Sequence, residues 1–219
     1  MNGATYRLRI DPVCPEVALL RQVAGIIASG GAAVVPTSGV YGLAADALSP
    51  VAVERIFSLK MRPKSKPLSV LAGSMEQVEQ VAGRLDSLTR ALMDELWPGG
   101  VTFVVPAADR VPPALLAGGT TVGVRLVSHP VTAALLQFMD RPVTGTSANV
   151  SGRPAVSRIR DLDQDLASEV DIILDSGPLA AARPSTVVAV EEGKVRIIRP
   201  GRVPAARIIE AARRLGKPG

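Results

Sequence analysis

The spacing of apolar residues along this chain switches repeatedly between the two-residue period of a strand and the 3.6-residue period of a helix. Thr5 to Ile10 alternates polar and apolar positions and predicts a strand. Val17, Leu20, Val23, Ala24 and Ile27 then share one helical face within Pro15 to Ser29, and Gly30-Gly31 ends that helix before the apolar run Ala32 to Val35. The opening is therefore β-α-β. Beyond the Pro36 turn the pattern predicts a helix over Val51 to Leu59, a short strand over Leu68 to Leu71, and a helix over Met75 to Ala82 with Ser74 as its N-cap. A helix from Asp86 to Leu96 stops at Trp97-Pro98-Gly99-Gly100, because proline and paired glycines do not propagate a helix. Strands follow over Val101 to Val105 and Thr121 to Val127, then a helix over Pro130 to Met139. A strand over Pro142 to Thr146 runs into a Ser-Ala-Asn-Val-Ser-Gly turn. Asp171 to Leu174, Thr186 to Val190 and Val195 to Ile198 read as strands, the last two joined as a hairpin across Glu191 to Lys194, and Pro204 to Leu215 is a final helix. Alternating elements with one hairpin predict an α/β fold: a single domain over residues 1–219 with one twisted mixed sheet and flanking helices. Ala107 to Gly119, rich in Ala, Pro and Gly, reads as a surface loop.

Composition narrows the classes of function. A chain of 219 residues that is 47% hydrophobic can bury one sizeable core. No apolar run approaches the roughly 20 residues of a membrane span, and Met1 to Cys14 carries Arg7, Arg9 and Asp11 without the apolar stretch of an export signal, so neither insertion nor export is expected. The single cysteine, Cys14, has no internal partner, and with the single histidine, His129, it cannot build a Cys/His zinc site; a reducing cytoplasm is the natural compartment. Only 3% of residues are aromatic, which disfavours a single-strand nucleic-acid surface built from stacked rings. The 25 basic residues exceed the 20 acidic ones modestly, but the excess is local. Lys60, Arg62, Lys64 and Lys66 fall within seven residues that hold no acid, and Lys194 to Lys217 sets eight basic residues against Glu210 alone, so anionic ligands are implied.

The chain carries no nucleophile elbow, Walker A loop or dinucleotide fingerprint. Candidate chemistry lies instead in glycine and proline turns at strand ends, where open α/β sheets place ligands. Pro36-Thr37-Ser38-Gly39-Val40-Tyr41-Gly42-Leu43 offers hydroxyls and close backbone approach, as a ligand loop or as a plain turn. Lys60 to Pro67, if extended, puts its four cations on one side in a geometry suited to a polyphosphate; a solvated charge run is the alternative. Arg125 on its strand could pair a carboxylate bidentately or form a structural ion pair. Thr146 to Gly152 could cradle phosphate or ribose oxygens or cap a helix, and Pro184 to Val188 with Arg199 to Arg202 again sets hydroxyls and cations at strand ends. His129 reads as a cap or structural residue, Cys14 lacks a basic neighbour that would activate it, and Trp97 reads as a packing anchor.

Taken in order, Pro36 to Leu43, Lys60-x-Arg62, Trp97-Pro98-Gly99-Gly100-Val101-Thr102, Val124-Arg125, Ser147-x-Asn149 with Ser151-Gly152, Ser185 to Val188 and Arg199-Pro200-Gly201 resemble the YrdC-type threonylcarbamoyl-AMP synthase family. The resemblance runs from about Gly30 to Arg202 and implies a twisted mixed α/β sheet with a concave basic groove. It also implies a nucleotidyltransferase that joins L-threonine, bicarbonate and ATP into threonylcarbamoyl-AMP with release of pyrophosphate, the first step toward N6-threonylcarbamoyladenosine in tRNA. On this sequence it implies that Lys60, Arg62 and Lys66 hold the ATP phosphates, Lys60 and Arg62 being the catalytic pair. Thr121, Asn149, Ser157 and Arg199 would line the nucleotide site. Arg125 would take the threonine carboxylate, with Thr37, Ser147 and Ser185 around threonine or its carbamate. Mg2+ would arrive with ATP rather than in a protein metal site, and tRNA and the downstream threonylcarbamoyl-transfer proteins would be partners.

Two places depart from the family pattern: Ser38 and Gly39 stand where an acidic residue and a threonine are common, and Leu71 stands where a histidine is common. Both can touch the amino acid, so the resemblance fixes the nucleotide more firmly than the amino acid. The alternatives are an RNA-binding, ribosome-maturation protein on the same fold and a nucleotide-binding paralogue without threonine activity.

Overall fold

The computed structural model describes residues 5–180 and 182–216. In chain order these form β1 (Tyr6–Arg9), α1 (Val17–Ala28), β2 (Ala33–Pro36), β3 (Tyr41–Ala44), α2 (Pro50–Leu59), β4 (Ser69–Ala72), α3 (Met75–Val81), α4 (Ser87–Leu96) and β5 (Val101–Pro106). There follow α5 (Pro113–Leu116), β6 (Thr121–Leu126), α6 (Pro130–Leu136), β7 (Val143–Thr144), β8 (Thr146–Ser147), α7 (Gln164–Glu169), β9 (Ile172–Asp175), β10 (Thr186–Glu191), β11 (Lys194–Arg199) and α8 (Ala205–Leu215). Helix starts are set by side chains that accept from otherwise unpartnered amides: Ser49 from Ala52 N–H at α2, Ser74 from Gln77 N–H at α3, Asp86 from Thr89 N–H at α4. Trp97 closes α4 as a buried anchor, its indole N–H donating to the Val101 carbonyl at 2.8 Å and its ring edge-on to Phe103.

The expected single sheet is two. One has the order β1-β9-β2-β3-β8, the other β11-β10-β5-β6-β4-β7. Both are mixed: β9 runs parallel to β1 and β2 while β3 is antiparallel to β2, and the β10–β11 hairpin sits beside a parallel β10–β5 pair. The opening β-α-β therefore holds with β9 inserted between its two strands. The strand expected over Pro142 to Thr146 is cut at Gly145, with β7 pairing β4 in the second sheet and β8 pairing β3 in the first. A Cβ on Gly145 would lie 2.9 Å from Leu71 Cγ, so the crossing between sheets needs glycine. Tyr41 to Leu43, expected as part of a loop, belong to a strand, Tyr41–Ala44, whose four residues are buried. The stretch expected as a surface loop contains α5, anchored by buried Leu115.

Two apolar clusters hold the layers together. One joins Val34, Tyr41 and Leu43 of the first sheet to Val70, Phe103, Val124 and Val188 of the second. The other packs Ala33, Val35, Ile172 and Leu174 with α1 and α6, and takes in Leu71 and Val143 from the second sheet. Successive β2 residues thus enter opposite clusters, the mark of a strand covered on both faces.

Candidate active site

The turn after β2 closes on itself: Thr37 donates to the Val40 carbonyl through both its N–H (3.0 Å) and its hydroxyl (2.6 Å). Gly39 has φ +111°, and a Cβ there would stand 2.7 Å from Ala182 Cβ. Ser38 Oγ lies 2.9 Å from Ser128 Oγ, just past β6. The tip of the first sheet thus touches the segments that leave β6 and enter β10. Behind it, the Thr37 methyl packs over Gly42, which pairs with Ser147 across β3 and β8.

The cations after α2 do not form the extended stripe allowed by their spacing. Helix α2 ends in a Schellman turn, with Met61 at φ 47°, Met61 N–H bonded to Ser58 O and Arg62 N–H to Phe57 O, so the four side chains diverge. Lys60 turns inward and is 1% exposed. Its Nζ donates to the carbonyls of Ser147 (2.5 Å) and Asn149 (2.8 Å) and to Asn149 Oδ1 (3.5 Å). Its own carbonyl accepts from Ser151 N–H. Burial, followed by the charge of Arg62, pushes the ammonium down to about 8. All three Nζ protons face oxygens of the loop, so this conformation offers a phosphate nothing from Lys60. Arg62 curls over the next turn, donating to the carbonyls of Lys66 (3.0 Å) and Pro67 (2.9 Å), and burial lowers its pKa. Lys64 points away into an ion pair with Glu54, while Lys66 is exposed.

Asn149 is likewise an organiser of its loop. Its Oδ1 accepts from the Ser147 hydroxyl and its Nδ2 donates to Val150 O (2.9 Å) and Arg153 O (2.7 Å). Ser151 Oγ is buried and has no hydrogen-bond partner among the described residues.

On the second sheet, Arg125 alternates with Val122 and Val124 of the first cluster and so lies on the other face, beside Leu71 of β4. Burial, and then the charges of Arg202 and Arg199, lower its guanidinium to about 10, leaving it charged at neutral pH. Across the same face, Gly123 leaves room beside Thr102 and Ser69. Thr102 Oγ1 is 2.8 Å from Ser185 Oγ, and Arg199 donates to the Ser185 carbonyl at 2.9 Å.

Two groups therefore emerge, Thr37 with Lys60, Ser147 and Asn149, and Arg125 with Ser185 and Arg199. They are joined through Gly145 against Leu71 and through the Ser38–Ser128 and Gly39–Ala182 contacts. Thr121 shares the face of Arg125 but sits at the far end of β6, opposite Pro106, roughly 13 Å away along the strand. Ser157 accepts from Leu179 N–H through its carbonyl, and among the described residues its hydroxyl makes no hydrogen bond to either group. Thr102 and Arg202 lie in segments singled out by their sequence but without a part assigned to them, and Ser128 lies in none; its hydroxyl next to the end of an apolar strand is the available signal. His129 stands at the N-cap of α6 without a side-chain cap bond, and its Nδ1 is buried and unpartnered.

The model of the Sua5/YciO/YrdC family, described as telomere recombination, matches residues 25–201. The chain belongs to this family. It is similar to the threonylcarbamoyl-AMP synthase of Pyrococcus abyssi, with 35% identity over 189 residues covering 86% of this chain and 56% of that protein. It is also similar to the threonylcarbamoyl-AMP synthase of Nitrosococcus oceani, with 35% identity over 174 residues covering 80% of this chain and 94% of that one. The chain thus spans only about half of the longer relatives it matches. The crystal structure of P. abyssi Sua5 complexed with L-threonine superposes with a TM-score of 0.89 at 33% identity, over 94% of this chain and 61% of that one. Against this Sua5/YciO/YrdC frame, Leu71 is buried directly beside Arg125, and Gly39 is held against Ala182. Among the described residues no helix is long and apolar enough to cross a membrane.

Proposed function

We propose that this chain is an L-threonylcarbamoyladenylate synthase acting in the cytoplasm. The observation that carries the reading is Arg125, fixed on β6 with Arg199 and Arg202 near enough to shift its pKa and with the Ser185–Thr102 hydroxyl pair on the same sheet face. These groups suit carboxylate and phosphate oxygens and support the reading of this face as the ligand site. The P. abyssi complex with L-threonine supports the amino acid as substrate.

In this reading Arg125 takes the carboxylate of L-threonine, and Thr37, Ser147 and Ser185 surround its amine and the carbamate formed there. Bicarbonate gives CO2 by losing hydroxide; the amine nitrogen bonds to its carbon as one C=O pair moves onto oxygen, and the nitrogen releases a proton, which with the hydroxide makes water. A carbamate oxygen then attacks the α-phosphorus of ATP, the bond to the β-phosphate bridging oxygen breaks, and pyrophosphate leaves with the electron pair. No protein nucleophile is needed; alignment and charge neutralisation suffice. Arg62, Lys66 and Arg199 face the phosphates, with Thr121 and Ser157 at the outer reaches of the nucleotide site. Lys60 acts from behind by fixing Ser147 and Asn149. Mg2+ would come with the triphosphate, held mostly by phosphate oxygens and water. The adenylate would pass to threonylcarbamoyl-transfer proteins that modify tRNA.

Purified protein supplied with ATP, Mg2+ and bicarbonate should release pyrophosphate only when L-threonine is added. Release that ignores threonine, from folded protein, overturns the reading. Leu71 and Gly39 favour one second reading, a nucleotide-binding relative that does not use threonine. ATP binding by calorimetry with no heat from subsequent threonine would establish it.

A further inference from the structure

A second cationic feature lies at the edge of the first sheet, lined by none of the residues assigned above. Arg7, Arg9, Arg158, Ile159, Arg160, Asp175, Gly177 and Pro178 enclose an open cleft of about 290 Å³. The placement follows from local structure. Arg7 and Arg9 are two apart on β1 and so share a face, while Arg158 and Arg160 flank Ile159, whose buried side chain pins the short helical turn Ile159–Asp161.

The floor is rigid. Tyr41 OH donates to Gly177 O at 2.6 Å and accepts from Ser176 N–H, and Gly177 N–H donates to Asp175 Oδ1 at 3.0 Å. Asp175 is the one carboxylate in the lining and is already engaged by Arg7 at 2.6 Å. Burial alone would raise its pKa, but Arg7, Gly177 N–H and Tyr41 hold it below the ordinary value, so it stays ionised. Arg160 has its exposed neighbour Asp161 at 3.7 Å. Among the described residues neither Arg9 nor Arg158 has a carboxylate within 4.0 Å. Arg9 and Arg158 thus line the hollow without a carboxylate partner among the described residues, beside Arg7 and Arg160, which are ion-paired.

We propose that this cleft binds a small phosphate-class oxyanion, inorganic phosphate or pyrophosphate. Planar guanidiniums suit bidentate contact with a compact tetrahedral anion. A cleft of about 290 Å³ is of a size for a compact anion. The site stands independently of the proposed activity.

The test is amide NMR on the wild-type chain and on the double variant Arg9→Ala/Arg158→Ala, whose exposed side chains leave the core untouched. Inorganic phosphate and then pyrophosphate should each produce saturable shifts at Ile159 and Gly177 in the wild type. Apparent affinity should fall tenfold or more in the double variant while ATP binding measured by calorimetry is unchanged. Absence of saturable shifts at these amides, equal affinity in the variant, or an RNA oligomer that needs the two arginines while the small anions do not bind, overturns the proposal.

Discussion

Lys60 is the residue whose chemistry departs most from its place in the sequence pattern. A lysine in a basic run suggests a phosphate ligand; this one is buried with every proton directed at Ser147 or Asn149. Its pKa near 8 makes that clamp sensitive to pH. As pH rises through about 8 the amine loses its charge and one donor, so kcat/KM should bend downward there, and the bend should move to higher pH in Lys60→Arg. The unfolded lysine keeps its proton to about 10.5, so the folded chain releases it first and the contribution of Lys60 to stability increases between the two values. Activity that falls near pH 8 without a matching fall in Tm would therefore locate the effect in the clamp; a parallel fall in Tm would place it in unfolding. Arg125 makes a second prediction at this scale. If it pairs the amino-acid carboxylate, Arg125→Ala removes one partner of a desolvated charge pair, worth about 2–5 kcal/mol. KM for L-threonine should rise roughly thirtyfold or more while KM for ATP moves far less, and equal rises in both would count against the assignment.

At the scale of elements, two glycines carry consequences that composition does not show. A Cβ on Gly201 would fall 2.5 Å from the Ser185 carbonyl carbon and 2.6 Å from its oxygen, backbone atoms that cannot rotate aside. Gly201→Ala should displace Ser185 from Thr102 and Arg199 and cut kcat/KM by tenfold or more in a chain that keeps its circular dichroism. Gly145→Ala meets Leu71 in a filled core and should cost about 1–3 kcal/mol, read as a lower urea midpoint. Most helices and strands were legible because their apolar periods and caps are local. Strand β3 was not: Tyr41 to Ala44 is buried on both faces, so no alternation marks it, and Gly42 made it look like loop. The divergence of Lys60 to Lys66 was hidden for a related reason, since Met61 adopts a left-handed conformation more usual for glycine and nothing in its side chain announces it. Of the site, the participating segments could be named from their hydroxyls, glycines and cations, but which side chains face one another depended on the two-sheet crossing at Gly145.

For the whole molecule, that crossing makes the two sheets one cooperative body. Alternate residues of β2 feed the two apolar clusters, Leu71 and Val143 of the second sheet lie in the cluster that covers the first, and Val34 and Leu43 of the first lie in the cluster that covers the second. Neither sheet can separate without exposing an apolar face of its partner, a cost that scales with the area uncovered. Chain connectivity adds to this, since β7 and β8 belong to different sheets and are separated by Gly145 alone. Urea unfolding should therefore be a single transition. Trp97, the one tryptophan, reports on the second sheet through its contact with Phe103, whereas far-UV circular dichroism averages over both sheets and all helices. The two signals should give the same midpoint and slope. A fluorescence change that precedes or follows the circular dichroism change would mean that the second sheet melts alone. In that event Arg125 and Ser185 could be lost from the site while Lys60 still held Ser147 and Asn149.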